Sequence, residues 1–381
     1  MRILFDYQAL EYQKFGGISR YYVELINRLS LKYKIEIGIK FSNNQYLKEK
    51  QIIPIKPFVD IRQEFIKGFE FYGKGRIFNL LKSVYPSKYY DCYQTNRECS
   101  IGLLKRQDFE VFHPTYFDDY FLEFIGKKPF VLTIHDMTHE KFPEFFPITD
   151  KTGMKKKKLA QKASHIISVS ENTKKDIISF WGIEEEKITV IYHSVNLIEN
   201  SDYSHISIPK DYVLFIGARN GYKNFLFFIY SIAGIIISNN ISLICTGIPF
   251  SNEEIELFKN LNISDRVFHH YASDSEMVYL YKNAIAFIFP SLYEGFGIPI
   301  LEAFANDCPV ILSNTSCLPE IAGDAALYFD PKECNEIRAQ VIRITNDRTL
   351  RRELIEKGRA RLVHFSWEKF ITKHEDIYKA F

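Results

Sequence analysis

The sequence lacks several features that would place it quickly in a common class. Its six cysteines form no Cys-x-x-Cys pair and have no histidine at zinc spacing, and no apolar run has the length of a membrane span. We therefore expect reduced thiols in a cytosolic protein without a structural metal or a membrane-spanning helix. Residues 2–6 already have the pattern of a strand, so we expect no secretory signal.

A strong charge of one sign is also lacking. The chain has 49 Lys and Arg against 47 Asp and Glu, a net charge of +2, which argues against a nucleic-acid partner. Residues 1–200 hold 31 basic against 25 acidic residues, and the remainder holds 18 against 22. A basic first half suits an anionic acceptor or an anionic membrane surface. The lysines at 155–158, which precede a helix that we predict at 159–163, are either a solvated face or part of such a surface.

Two common ligand motifs are missing as well. No Gly-x-Gly-x-x-Gly follows the first strand, which counts against a dinucleotide fold of the dehydrogenase type. Asp118 and Asp119 are adjacent and so lack the Asp-x-Asp spacing of a metal motif, and we interpret them as surface residues. Gly16 and Gly17 instead lie between the first strand and an amphipathic helix. They form either a plain loop or a turn that brings backbone N–H groups to a phosphate.

The most informative stretch is residues 289–303. A buried strand ends before Pro290, Gly295 and Gly297 form a turn, and Pro299 suits the start of a helix. Glu294 then lies in the loop and Glu302 one turn into the helix, both at the carboxyl end of a parallel strand, where open α/β sheets bind ligands. Two carboxylates can each accept from a pair of vicinal hydroxyls, and the helix start favours negative charge. A nucleotide sugar has both kinds of group.

A second candidate site follows the strand at 212–217. Arg219 and Lys223 stand just before the helix that we predict at 225–233, where two cations are locally unfavourable. A bound anion would relieve this, and an arginine can grip phosphate with two parallel hydrogen bonds. The alternative is a pair of surface cations.

Two features of the first half remain open between a structural and a functional interpretation. His135, with Asp136 beside it, ends the apolar strand at 130–136, where either a structural histidine or a ligand-binding one could stand. Residues 41–108 are rich in Phe, Tyr, Lys and Arg, with tyrosines clustered between 85 and 93. They form either two helices with an exposed loop, or a lip that holds an acceptor or touches lipid.

These motifs together resemble those of glycosyltransferase family 4, retaining enzymes of the GT-B fold. The resemblance covers nearly the whole chain and is most specific over residues 216–330. It implies an α/β GT-B fold, in which two Rossmann-like domains face each other across a cleft. We accordingly predict an acceptor-side domain at 1–197, a linker at 198–210, a nucleotide-sugar-binding domain at 211–365, and a last helix at 366–381 that packs back on the first domain.

The resemblance also implies roles for individual residues. The catalytic set would be His135, Arg219, Lys223 and Glu294. The donor-binding set would be Gly16, Gly17, Arg219, Lys223, Tyr271, Glu294, Gly295, Phe296, Gly297 and Glu302. We expect Arg219 and Lys223 to be exposed in the cleft, to neutralise the donor diphosphate, and so to make a metal unnecessary. The turn at 193–196 departs from the family pattern, and no role is carried over to it.

The implied function is transfer of a hexose from a nucleotide-diphosphate sugar, without another cofactor, to a glycan or polyprenyl-linked glycan acceptor. A GDP-mannose-like donor is favoured, and a UDP-sugar stays open. The enzyme would act in polysaccharide or glycoconjugate synthesis in the cytoplasm, in peripheral contact with the inner membrane face. The alternatives are a nucleotide-sugar epimerase of the GT-B fold, which would need no acceptor, and a non-catalytic scaffold, which would have lost one of the charged groups.

Overall fold

A computed structural model describes residues 1–59, 65, 69, 71–85, 91–196 and 207–381. Its first half contains two three-stranded parallel sheets, with strand orders β2-β1-β3 and β4-β5-β6. A parallel bridge between Phe112 and Phe130 joins them edge to edge. The strands are β1 Arg2–Phe5, β2 Lys34–Ile37, β3 Val111–His113, β4 Val131–Ile134, β5 His165–Ser168 and β6 Ile188–Val190.

The helices of this half cover the sheet edges and faces. They are α1 Gln8–Tyr12, α2 Gly17–Leu29, α3 Gln45–Lys50, α4 Lys74–Val84, α5 Cys92–Arg106, α6 Thr138–Lys141, α7 Thr152–Lys162 and α8 Glu171–Trp181. Helix α2 buries one face against the sheet, because Tyr22, Leu25, Ile26 and Leu29 recur at helical spacing and are almost fully buried. Helix α8 begins after Ser170, whose hydroxyl accepts from the N–H of Thr173.

The second half is one six-stranded parallel sheet with the strand order β12-β11-β10-β7-β8-β9. This is the strand order of a Rossmann fold, in which ligands bind at the carboxyl ends of the central strands. The strands are β7 Tyr212–Phe215, β8 Ser242–Cys245, β9 Val267–His269, β10 Ala286–Phe289, β11 Val310–Ser313 and β12 Ala326–Phe329. The helices are α9 Phe225–Ser238, α10 Asn252–Asn260, α11 Asp274–Asn283, α12 Ile298–Ala305, α13 Leu318–Ala322, α14 Cys334–Asn346, α15 Arg348–Leu362 and α16 Trp367–Lys379.

The last helix, α16, leaves the second half and packs on the first. His374 and Tyr378 are buried there. The Oη of Tyr21, on α2, lies 2.7 Å from Nε2 of His374, and Oη of Tyr378 lies 2.6 Å from Nδ1 of His113. The predicted linker at 198–210 lies outside the described residues as far as position 206, as do Tyr89 and Tyr90. The predicted domain boundaries stay a prediction.

One helical stretch, Gly221–Ser238, has the length and composition to cross a membrane. Its first three residues form a 3-10 turn and Asn224 has a positive φ, so the α-helix itself is the 14 residues of α9, and the expectation of no membrane-spanning run is not overturned. The core explains the composition, because Phe225, Phe228 and Ile232 of α9 are fully buried and the first two pack on Phe215 of β7. A helix buried against a sheet passes the same test.

Candidate functional site

Two helix starts face each other between the halves of the molecule. Helix α2 begins at Gly17, and helix α12 begins at Ile298 after Gly297, which has φ 94° and caps the helix. A Cβ built on Gly17 would lie 3.4 Å from Cδ1 of Ile298, so the two starts lie close together. The N–H of Ser19, at the start of α2, already donates to Oε1 of Gln13, and in α12 Pro299 has no N–H and Ile300 donates to the carbonyl of Gly297. Each helix start keeps its positive partial charge, which makes the space between them favourable for an anion.

Glu302 lies one turn into α12 and is bound from both sides of the cleft. Its Oε1 accepts from Nη1 of Arg20, on α2, at 2.8 Å, and its Oε2 accepts from Oη of Tyr281 at 3.1 Å. Burial alone would lower the pKa of Arg20, but the carboxylate of Glu302 outweighs it and raises that pKa. Arg20 and Tyr281 have no role among the predictions from sequence, because they lie 282 and 21 positions from Glu302 in the chain.

Glu294 and Lys223 form a second ion pair at the end of β10. Nζ of Lys223 lies 2.6 Å from Oε1 of Glu294. Burial alone would lower the pKa of Lys223, and Glu294 reverses this and raises it. The next residue, Asn224, donates its amide to the carbonyls of Pro290 and Pro331 and so ties this loop to β10. The expectation that Lys223 is exposed was wrong, since only 17% of its side chain is accessible.

Arg219 was also expected to be exposed, and it is buried, with 3% of its surface accessible. Its Nε and Nη2 donate to the two carboxylate oxygens of Glu254, at 2.7 and 3.2 Å, and Nη2 also donates to the carbonyl of Pro249. Glu254 belongs to α10 and caps that helix as well, through the N–H of Ser251. Nη1 of Arg219 is buried and has no hydrogen-bond partner among the described residues.

Gly295 brings the two halves into backbone contact. A Cβ added there would lie 1.8 Å from the carbonyl oxygen of His135. The carbonyl of Gly295 accepts from the hydroxyls of Ser170 and Thr173, at 2.7 and 3.2 Å. These two hydroxyls belong to the start of α8 in the first half, so a side chain at Gly295 is excluded by the approach of the opposite wall.

Tyr293, two residues earlier, inserts into the core of the first half. It is 1% exposed, and its hydroxyl donates to Oδ2 of Asp176 at 2.8 Å and accepts from the N–H of Met137 at 3.3 Å. Lys141 binds the other oxygen of Asp176 at 2.7 Å. A separate link is made by Glu320 of the second half, whose carboxylate accepts the N–H groups of Glu171 and Asn172 at the start of α8. Sequence reasoning missed these links, since no local pattern pairs their partners.

His135 follows β4 and lies among aromatic rings. It meets Tyr21 and Tyr22 edge to face and stacks on His193. Burial lowers the pKa of His135 to about 4, so the imidazole is neutral at physiological pH. Its Nε2 is buried and makes no hydrogen bond with any described residue.

The remaining predicted residues differ in exposure. Phe296 is 4% exposed and packs edge to face on His193, so its ring joins the two halves. Tyr271 follows β9 and is 70% exposed at the carboxyl end of its strand. The structure therefore brings Gly17, Glu294, Gly295, Gly297 and Glu302 to the cleft, and leaves Tyr271 on a loop at its margin.

The lysine run at 155–158 does not form a uniform basic surface. Lys156 is 1% exposed and donates to the carbonyl of Asp136 at 2.9 Å, with Glu140 at 2.8 Å. Lys155 lies 3.6 Å from Asp118, and Lys158 lies 2.5 Å from Asp119. In the described part of the chain, no group of three His, Cys, Asp or Glu side chains is placed to hold a metal ion.

Comparison with family models divides the chain into two matches. Residues 15–199 match the model described as glycosyltransferase family 4, and residues 200–361 match the one described as glycosyl transferases group 1. Together the two models cover both halves of the cleft.

Curated relatives are similar over different lengths. The O-antigen chain mannosyltransferase B of Escherichia coli is 27% identical over 403 residues, with 100% of both chains covered. The O-antigen chain mannosyltransferase RfbU of Salmonella typhimurium is 32% identical over 203 residues, covering 53% of this chain and 57% of that protein.

Solved structures share the architecture at low identity. A glycosyltransferase from Rickettsia africae superposes with a TM-score of 0.69 and 16% identity, covering 100% of this chain and 98% of that one. Anabaena Alr3699/HepE, in complex with UDP and glucose, superposes with a TM-score of 0.73 and 16% identity, covering 100% and 99%. The two-domain GT-B fold predicted from the sequence is confirmed.

Proposed function

The chain belongs to glycosyltransferase family 4, and from that premise we propose that it is a retaining, metal-independent hexosyltransferase. Its donor would be a nucleotide-diphosphate sugar, with a GDP-mannose-like donor favoured. Relatives named as O-antigen mannosyltransferases support this donor and an acceptor that is a glycan or a polyprenyl-linked glycan. The work would take place in polysaccharide synthesis in the cytoplasm, at the inner membrane face.

The observation that carries the proposal is the meeting of two helix starts beside two carboxylates and a lysine. The starts of α2 and α12 would take the diphosphate, and Lys223 would add a positive charge there. Glu302 would accept the ribose hydroxyls in competition with Arg20. Glu294 would accept hydroxyls of the transferred sugar once Lys223 turns to the phosphate. Each carboxylate already has a cation partner, so donor binding would replace that cation with sugar hydroxyls and would not leave a buried charge without a partner.

Stabilisation of charge and positioning would supply most of the catalysis. The leaving diphosphate gains negative charge as the glycosidic bond breaks, and the helix starts and Lys223 oppose it. His135, which is neutral because burial lowers its pKa to about 4, would hydrogen-bond the sugar through Nε2 without adding charge. We propose that the acceptor attacks the same face that the diphosphate leaves, and that the diphosphate takes the acceptor proton.

For the acceptor we propose a cavity of about 430 Å³ in the first half. It lies beyond the carboxyl ends of β1 and β3, the sheet edge that also carries the cleft. Aromatic faces for a sugar ring come from Tyr93 and Tyr116, and Arg97 adds hydrogen-bond donors. Burial raises the pKa of Glu11, in the same wall, to about 7. The segment at 41–108 contributes Tyr93 and Arg97, which favours the lip interpretation.

Calorimetric titration of the pure protein with GDP, UDP, GDP-mannose and UDP-glucose tests the donor. Tighter binding of GDP and GDP-mannose is expected, and tighter binding of the uridine compounds would replace that donor while leaving the transferase assignment in place. Glu302→Gln should weaken binding of every nucleotide sugar that has a ribose, whereas His364→Gln, an exposed position, should not. Conversion of the donor to its epimer without an acceptor would assign the epimerase instead.

NMR of the product tests the stereochemistry. A donor with an α-linked sugar should give an α-linked product, and a β-linked product would refute retention.

A further inference from the structure

Helix α4, Lys74–Val84, is attached to the protein by one face and leaves an apolar face exposed. Phe78 is 4% exposed, and its ring lies 5.3 Å from that of Phe65. Ile77, Leu80 and Val84 recur at helical spacing away from Phe78 and are 44%, 64% and 58% exposed. Apolar side chains this exposed on one helix face mark a contact surface.

Aromatic side chains extend this surface on both sides of the helix. Phe71 and Tyr72 precede it and are 42% and 96% exposed, and Tyr85 follows it and is 56% exposed. We refer to Phe71, Tyr72, Ile77, Leu80, Val84 and Tyr85 together as the α4 face. Aromatic residues at the rim of an apolar patch suit a boundary between hydrocarbon and water.

Charge decides which occupant fits the α4 face. Residues 71–85 contain three Lys or Arg and no Asp or Glu. At 100° per residue, Lys74 and Arg76 project on either side of the apolar stripe, and Arg76 is exposed. An apolar stripe flanked by cations is the pattern of a helix that lies in the plane of an anionic bilayer surface.

We propose that the protein docks on anionic lipid through the α4 face. This inference stands on exposure and charge alone, and it specifies a surface for the membrane contact within the proposed function. It moves that contact away from the lysine run at 155–158, where Lys155, Lys156 and Lys158 have carboxylate partners.

Flotation with phosphatidylglycerol-containing vesicles and with pure phosphatidylcholine vesicles tests the proposal without any sugar substrate. The wild-type protein should float with the anionic vesicles at low salt and be released at high salt. Ile77→Glu should weaken this partitioning roughly tenfold, because it places a charge in the apolar stripe that would enter the bilayer. Ile342→Glu is the matched control, since Ile342 is also a helical isoleucine that is 44% exposed.

Insertion itself is read from one added tryptophan, as the difference from the emission of the wild type, which already contains Trp181 and Trp367. Tyr72→Trp should show a blue-shifted emission and quenching by brominated lipid, and Ile148→Trp, at a fully exposed position outside the α4 face, should show neither. Equal flotation of wild type and Ile77→Glu, or equal binding to neutral vesicles, would overturn the proposal. So would dimerisation of the wild type that Ile77→Glu abolishes while vesicle binding persists. Because no donor is present, failure of the transferase assignment leaves this result unaffected.

Discussion

Replacement of Gly295 by alanine should separate the two halves of the cleft. The new Cβ would lie 1.8 Å from the carbonyl oxygen of His135, 2.8 Å from its carbonyl carbon and 3.0 Å from Cα of Asp136. All three are backbone atoms, so no side-chain rotation can relieve the overlap. Restoring even the 3.0 Å separation to the oxygen needs a displacement of about 1.2 Å.

That displacement breaks bonds that link the halves. The hydroxyl of Ser170 lies 2.7 Å from the carbonyl of Gly295, and that of Thr173 lies 3.2 Å from it. Both distances would exceed hydrogen-bond range after the shift. At about 1 kcal/mol for each buried bond, the loss is about 2 kcal/mol, before any effect on Tyr293 and Asp176. Because the sugar-binding groups lie on opposite walls, a shift of about 1 Å should lower turnover by about two orders of magnitude.

The assay compares Gly295→Ala with Gly234→Ala. Gly234 lies in α9 with open space around its Cα, so alanine there should leave turnover unchanged and stabilise the helix slightly. For Gly295→Ala we expect a lower unfolding temperature, a larger radius of gyration in solution scattering and the loss of turnover. Normal turnover and an unchanged scattering profile would refute the closed-cleft reasoning.

Three further predictions concern the cations near the cleft, metal independence and the buried His374 of α16. Lys223→Ala should reduce turnover by about two orders of magnitude with a small change in unfolding temperature. Arg219→Ala should also destabilise the fold by about 3 kcal/mol, because it leaves the buried carboxylate of Glu254 without its cation. Near-normal turnover of Lys223→Ala would contradict the diphosphate role. Activity should survive excess EDTA, and a loss on chelation that manganese or magnesium restores would contradict metal independence. Burial lowers the pKa of His374 to about 4, below the unfolded value near 6.5, so the unfolded chain binds more protons and this residue makes stability fall between pH 6.5 and 4, by about 2 kcal/mol at pH 5. Burial also lowers the pKa values of His113, His135 and His193, so His374→Gln should remove only its own share of the decline in urea denaturation, and His364→Gln should remove none.

Much of the fold could be predicted because parallel strands buried on both faces are continuous apolar runs. The strands predicted at 2–6, 130–136 and 212–217 correspond to β1, β4 and β7, whose ends differ from those bounds by no more than two residues. Strand β12, Ala326–Phe329, was missed, since it is short and carries only one Leu and two aromatic residues after a Gly-Asp-Ala segment. Helix α7 extends from Thr152 to Lys162, beyond the predicted start at 159, because its lysines reach carboxylates that lie far off in the chain.

The predicted exposure of Arg219 and Lys223 was wrong because each cation binds a carboxylate that is distant in the chain. The sequence shows no carboxylate close to Arg219, so this cation was expected to be exposed and free to bind a phosphate. Glu254 stands 35 positions away and supplies the carboxylate. The local pattern thus located Arg219 in the fold but not its partner. Gly295, which was expected to let the backbone approach a ligand, also lets the backbone at His135 in the first half approach closely.

The links across the cleft divide into two kinds with different consequences for closure. Arg20 and Glu302 form a link in which Glu302 is also a proposed ribose acceptor, so nucleotide binding must weaken that ion pair or share it. The other links use the hydroxyl of Tyr293 with Asp176 and the carbonyl of Gly295 with Ser170, two groups that the proposed donor binding leaves unused although Gly295 was expected to contact the donor. A bound donor can therefore replace the link between Arg20 and Glu302, but it leaves the links of Tyr293 and Gly295 in place. Since Tyr293 and Gly295 flank Glu294 in the chain, their links fix the carboxylate of Glu294 relative to His135. This holds whether or not Glu302 has released Arg20.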